Sequence, residues 1–108
     1  MQPNEYQELA MRTKGKYDNK RDQIICAALG LTGESGEFAD AIKKHIYQGH
    51  IAEIDTLIKE CGDVCWYLAL ACDALGVSLE SVMERNIEKL RKRYPDGFEV
   101  EKSVGRSE

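Results

Sequence analysis

VCWYLALACDAL, residues 64–75, carries a single charge, Asp73. A helix that is apolar nearly all round must be covered on all sides, so this stretch reads as the central helix of a helical domain. Its pattern runs back to about Ile54 and stops at Gly76. Beyond it, Ser78 is a suitable N-cap for a helix that reaches Arg93 and must end before Tyr94-Pro95. On the N-terminal side a long segment runs from Lys20 to Tyr47 and ends near Gly49. A short first segment opens at Pro3-Asn4, places Tyr6, Leu9, Ala10 and Thr13 at helical spacing, and gives out around Lys14-Gly15-Lys16. Prolines occur only at positions 3 and 95, so almost everything between them is free to be helical. No strand-like alternation or repeat competes. The sequence predicts one all-α domain of four main helices over residues 1–98, followed by a polar, frayed tail over 99–108.

A four-helix monomer of 108 residues struggles to cover one helix completely. Trp66, Ala69 and Leu70 are therefore expected to meet a second subunit, so that dimerisation completes a bundle-like packing. The alternative is that the first and fourth helices wrap the third within one chain.

Charged residues make up 31% and hydrophobic residues 43% of the chain, the balance of a globular protein. The net charge is −4 and no basic stripe interleaves with aromatics, which argues against binding a nucleic-acid polymer. No apolar run approaches the length of a membrane span, and MQPNEYQEL lacks a signal-like apolar core. Cys26, Cys61, Cys65 and Cys72 form no C-x-x-C, and neither His45 nor His50 falls at ligand spacing from them. Buried, reduced thiols and a cytoplasmic setting are expected.

The long second segment holds GLTGESGEFADAIKK, residues 30–44. At about 100° per residue, Glu37 lies about 60° to one side of Glu34 and Phe38 about 40° to the other. Ala27, Leu31, Ala41 and His45 share that sector, while Thr32, Gly36, Asp40 and Lys43 fall on the far side. On the third helix, Glu60 and Asp63 lie about 60° apart in a sector with Leu57, Val64, Tyr67 and Ala71. On the fourth, Asn86, Lys89 and Arg93 share a sector with Leu79, Val82 and Leu90. Two acidic pairs on apolar stripes would repel if packed together. A hard divalent cation relieves that repulsion, and oxygen-only ligation suits Mg²⁺ or Mn²⁺. A di-iron bundle would need Glu-x-x-His; the residues three after Glu34, Glu37, Glu60 and Asp63 are Glu37, Asp40, Asp63 and Trp66. An acidic metal face opposite Asn86, Lys89 and Arg93 points to metal-assisted hydrolysis or transfer on a polyphosphate.

GESGE at 33–37, KECGD at 59–63 followed by WYL, and NIEKLRKRYPDGF at 86–98 together resemble the MazG-like nucleotide pyrophosphohydrolases, in their small, single-domain, often phage-associated branch. Between Glu37 and Glu60 lie 22 residues, within the spacing of the E-x-x-E, E-x-x-D pattern, and the likeness covers about residues 5–98. It implies an all-α homodimer or homotetramer that hydrolyses a nucleoside triphosphate between the α and β phosphates, with Mg²⁺, giving the monophosphate and pyrophosphate in nucleotide-pool house-cleaning. Carried over by position, Glu34, Glu37, Glu60 and Asp63 would ligate the metal, and Glu34 or Glu37 would also orient or deprotonate the water. Tyr67 would lie beside the triphosphate. Asn86, Lys89 and Arg93 would contact phosphates, those of a partner's site included. Ser35 stands where many members carry a further glutamate. Tyr6, Gln7, Thr13 and Tyr17 are rough candidates for the base pocket, and Lys43 and Lys44 default to a solvated face, Lys44 the nearer to the site. The competing expectations are a non-catalytic helical interaction protein with a structural acidic cluster, and hydrolysis of a non-nucleotide phosphorylated metabolite.

Overall fold

The computed structural model describes residues 1–51 and 53–105. Five helices follow one another: α1 (Pro3–Met11), α2 (Lys20–Tyr47), α3 (Ile54–Leu75), α4 (Leu79–Arg93) and α5 (Val100–Val104). No strand occurs among the described residues. The all-α expectation holds, and α2, α3 and α4 begin and end where the sequence signals stand. Asn19 caps α2 by accepting the Asp22 N–H at 2.8 Å, and Ser78 caps α4 by accepting the Ser81 N–H at 3.1 Å. Lys44 and His45 close α2, and Arg91, Lys92 and Arg93 close α4, each set opposing the partial negative charge of a helix end. Gly76 ends α3 with φ of 72°, a left-handed conformation that a side chain would strain.

A short helix within residues 99–105 departs from the expectation of a frayed tail. Val100–Val104 form a helical turn held by Ser103 N–H on Glu99 O at 3.1 Å and Gly105 N–H on Glu101 O at 2.9 Å. Lys102 also pairs with Glu99 at 3.6 Å, an i, i+3 contact that the polar composition concealed. Residues 106–108 of that expected tail lie outside the described residues.

α2 and α3 form an antiparallel hairpin. Gln23, near the start of α2, donates to Leu70 O at 3.1 Å and to Asp73 Oδ2 at 2.8 Å, near the end of α3. Lys14 adds a 2.6 Å ion pair to Asp73 at the partly exposed edge of this group. α1 lies across α3, where the Trp66 indole N–H reaches Thr13 Oγ1 at 2.8 Å and Ala10 O at 3.2 Å. The Gln7 amide bridges the α3–α4 turn, donating to Val77 O at 3.1 Å and accepting from Leu79 N–H at 2.6 Å. α4 then leaves α3 at 99° and rests on α1 and α3.

The core is small-sided: Ala10, Ala27, Ala69, Leu70, Cys72, Ala74 and Leu79 are buried, and Leu70 is the largest fully buried side chain. This corrects the expectation for α3. Ala69 and Leu70 are fully covered within one chain, where α3 packs chiefly against α2 and α1, and Trp66 is half-buried against α1. Apolar side chains remain exposed elsewhere, including Leu29 on α2, Ile58 and Leu75 on α3, and Met83 and Ile87 on α4. Among the described residues no single helix is long and apolar enough to cross a membrane.

Candidate active site: facing carboxylates on a helical hairpin

Helical spacing puts Glu34 and Glu37 on adjacent turns of α2, and the antiparallel hairpin brings Glu60 of α3 opposite them. One oxygen from each of the three lies within 4.8 Å of the others. Glu34 and Glu60 are half-buried, and Glu37 is exposed. Glu60 Oε2 is shielded from solvent and has no hydrogen-bond partner. Desolvation pushes the Glu34 carboxyl above the usual glutamate range, reinforced by a hydrogen bond shared with Glu60 and by the charges of Asp63, Glu37 and Glu60. Asp63 stands one turn beyond Glu60 on the exposed side of α3 and is not one of the three converging carboxylates. Its charge nevertheless reaches both Glu34 and the Tyr6 hydroxyl. Three convergent carboxylate oxygens, with a shielded and unsatisfied oxygen on one of the same side chains, form a donor set that suits a hard divalent cation.

A cavity of about 630 Å³ opens beside the cluster. α2 contributes Gly33, Gly36, Glu37, Asp40, Ala41 and Lys44; the loop and α3 contribute His50, Ile51, Glu53, Thr56 and Glu60. Gly36 and Asp40, expected on the far side of α2, therefore line the cavity, because it sits on the flank of the helix rather than over the Glu34 stripe. The loop is tied back to α2: Gln48 and His50 N–H donate to Lys44 O at 3.0 and 3.1 Å. His45 Nδ1 lies 2.9 Å from His50 O, and since a carbonyl only accepts, that ring nitrogen donates.

The structure separates the other expected site residues from this cavity. Tyr67 lines a different one, of about 530 Å³, with Asp22, Ile25, Cys26, Leu29 and Gly30. A Cβ at position 30 would collide with the Tyr67 ring, so Gly30 is the seat that lets the ring lie against α2. Asn86 and Lys89 are exposed on α4, Arg93 is half-buried with its guanidinium 5.8 Å from the Tyr94 ring centre, and none of the three lines the cavity. Asn86 and Lys89 are thus not turned into a face packed within the chain. Of the base-pocket candidates, Gln7 and Thr13 are committed to packing bonds. Tyr17 donates to Cys26 Sγ at 3.5 Å beside Tyr67.

The four cysteines are free thiols, but Cys61 and Cys65 are exposed, against the expectation of burial. Cys61 lines a shallow pocket with Ser35 and Phe38 of α2, while Cys72 faces the core and burial pushes its thiol pKa up. Gly30 is a position whose importance the sequence left unmarked. The signal for Gly30 was a glycine inside a long helical pattern, which usually has a packing reason.

An all-α chain that sets E-x-x-E on one arm of a hairpin against E-x-x-D on the other defines a helical protein with an acidic site. The chain belongs to the MazG nucleotide pyrophosphohydrolase domain family, whose model matches residues 25–98. It is 41% identical over 73 residues to Gene 37 protein of Mycobacterium phage L5, covering 64% of this chain and 64% of that one. It is 36% identical over 73 residues to the uncharacterized protein YvdC of Bacillus subtilis (strain 168), covering 59% of this chain and 69% of that one. No solved structure matches significantly.

Proposed function

We propose that this chain hydrolyses a nucleoside triphosphate between the α and β phosphates, releasing the monophosphate and pyrophosphate. The observation that carries this reading is the shielded, unpartnered Glu60 Oε2 beside two glutamates in a member of this family. Glu34, Glu37 and Glu60 would hold Mg²⁺, or Mn²⁺ in its place, and Asp63 would join them by turning its exposed carboxylate along α3. When bound, the ion offsets the negative charge of the phosphate oxygens. Glu34, half-buried beside Glu60, would take a proton from the attacking water. Glu37, open to the cavity, orients that water.

Tyr67 lies on the neighbouring face of the hairpin and would flank the nucleotide. Asn86, Lys89 and Arg93 would reach phosphates of a second subunit, since α4 diverges from its own hairpin. The exposed apolar side chains Ile25, Leu29, Met83 and Ile87 supply surface that a homodimer or homotetramer would bury. Nucleotide-pool house-cleaning in the cytoplasm is the setting that this chemistry suits.

Pyrophosphate release from the eight canonical (d)NTPs with Mg²⁺, beside a chelator control and Glu37→Gln, tests the reading. Monophosphate plus pyrophosphate, lost in both controls, is expected. No turnover of any nucleotide, or turnover indifferent to chelator, overturns it.

A further inference from the structure

One wall of the cavity beside the carboxylates has no role in the chemistry above. Lys44 lines that wall two turns along α2 from Glu37, on the same flank of the helix and about 10 Å away along its axis. Long helical side chains lean toward the N-terminus, and Lys44 does so: its Nζ lies 2.9 Å from Asp40 Oδ2, one turn nearer the cluster. Its backbone is fixed by the two N–H groups of the returning loop. Glu37, Asp40, Glu53 and Glu60 make the cavity walls acidic; among the described lining residues Lys44 is the one lysine or arginine, with His50 on the loop side. A polyphosphate in this cavity meets acidic side chains from both α2 and α3, and Lys44 offers it an ammonium away from the carboxylate cluster. Lys43, the adjacent residue, also reaches Asp40, at 3.3 Å, but does not line the cavity.

We propose that Lys44 is a substrate-binding residue that holds the pyrophosphate half of the triphosphate, leaving Asp40 for the phosphate oxygens when substrate enters. This rests on the hydrolysis reading for its substrate. Asp40 keeps the ammonium poised over the cavity in the free protein, which limits the side-chain entropy lost on binding. An ammonium offers three donors to phosphate oxygens, and such charge-assisted bonds are the strong ones.

The test is calorimetric titration of the full chain with inorganic pyrophosphate at fixed Mg²⁺, comparing wild type with Lys44→Ala, Lys44→Arg and Lys43→Ala. Lys44→Ala is expected to weaken binding by about tenfold or more, and Lys44→Arg to retain most of it. Lys43→Ala removes the same charge outside the cavity, where screening holds its effect to about twofold. Thermal melts confirm that each variant is folded. Equal binding by wild type and Lys44→Ala, an equal loss in Lys43→Ala, or no binding by wild type overturns the proposal. A chain that turns over nucleotide yet binds pyrophosphate independently of Lys44 removes this inference and leaves the hydrolysis reading standing. Lys44-dependent pyrophosphate binding without nucleotide turnover does the reverse.

Discussion

Gly30→Ala reports directly on the packing of the hairpin. In a helix interior, alanine is more favourable than glycine by about 1 kcal/mol, so an unobstructed substitution would stabilise the chain. At this position the new Cβ would strike three atoms of the Tyr67 ring. Overpacking of this kind costs about 1–3 kcal/mol, and the ring borders an open cavity into which it can swing. The two effects leave a net destabilisation of about 0–2 kcal/mol, or up to roughly 8 °C in Tm at about 4 °C per kcal/mol. The sign should reverse in a Tyr67→Ala background, where propensity acts alone and Gly30→Ala gains about 1 kcal/mol. Denaturant unfolding of the four proteins in this cycle yields a coupling of about 1–3 kcal/mol between positions 30 and 67. Coupling below about 0.5 kcal/mol, with Gly30→Ala stabilising in both backgrounds, would refute the seating of Tyr67 against α2.

Glu34 gives a pH dependence. Its folded-state pKa is raised, so the folded chain holds that proton more tightly than the unfolded chain, and stability falls as pH rises through the folded value. In chelator at pH 7, Glu34→Gln should therefore melt at or above the wild-type temperature, and with Mg²⁺ the wild type should gain stability that the variant lacks; melts showing the opposite order in chelator would count against the cluster. Asp73 has the reverse sign: Lys14 and then Gln23 hold its carboxyl below the usual range, so its contribution is present above the unfolded pKa and fades as pH falls through the folded one. Asp73→Asn should cost about 1 kcal/mol at pH 7 and little at pH 2, as read from urea midpoints at both pH values. Leu70→Ala should cost about 2–5 kcal/mol wherever stability is measured, and a smaller loss would mean that α3 is not covered within one chain.

The helix ends were legible because single residues carry them. Ser78 and Gly76 act through local hydrogen bonds and backbone conformation that need no partner. The facing of Glu34, Glu37 and Glu60 was also legible, since a 3.6-residue period fixes which side chains share a stripe once a hairpin is assumed. What periodicity cannot carry is which stripe meets which neighbour. Asn86 and Lys89 share a sector with apolar residues on α4, yet the direction of α4 is set at Val77–Leu79, by a turn whose angle leaves no trace in the pattern. Helical angle from Glu34 puts Asp40 on the far side of α2, yet the cavity lies on the flank of the helix and takes Asp40 into its wall. An all-apolar helix in a short chain points to a subunit contact for Ala69 and Leu70, yet the cover comes from within, through pairings such as Gln23 with Leu70 and Thr13 with Trp66 that lie 47 and 53 residues apart in sequence.

The Gln7 amide, with one hydrogen bond to each side of the α3–α4 turn, is the pivot of a lever. α4 extends from it for 15 residues, an arm of about 21 Å. A rotation of about 10° at the pivot sweeps Arg93 through roughly 4 Å on an arm of that length. A side chain on the shortest of the four main helices therefore sets the aim of a basic helix end that lies far from it in space.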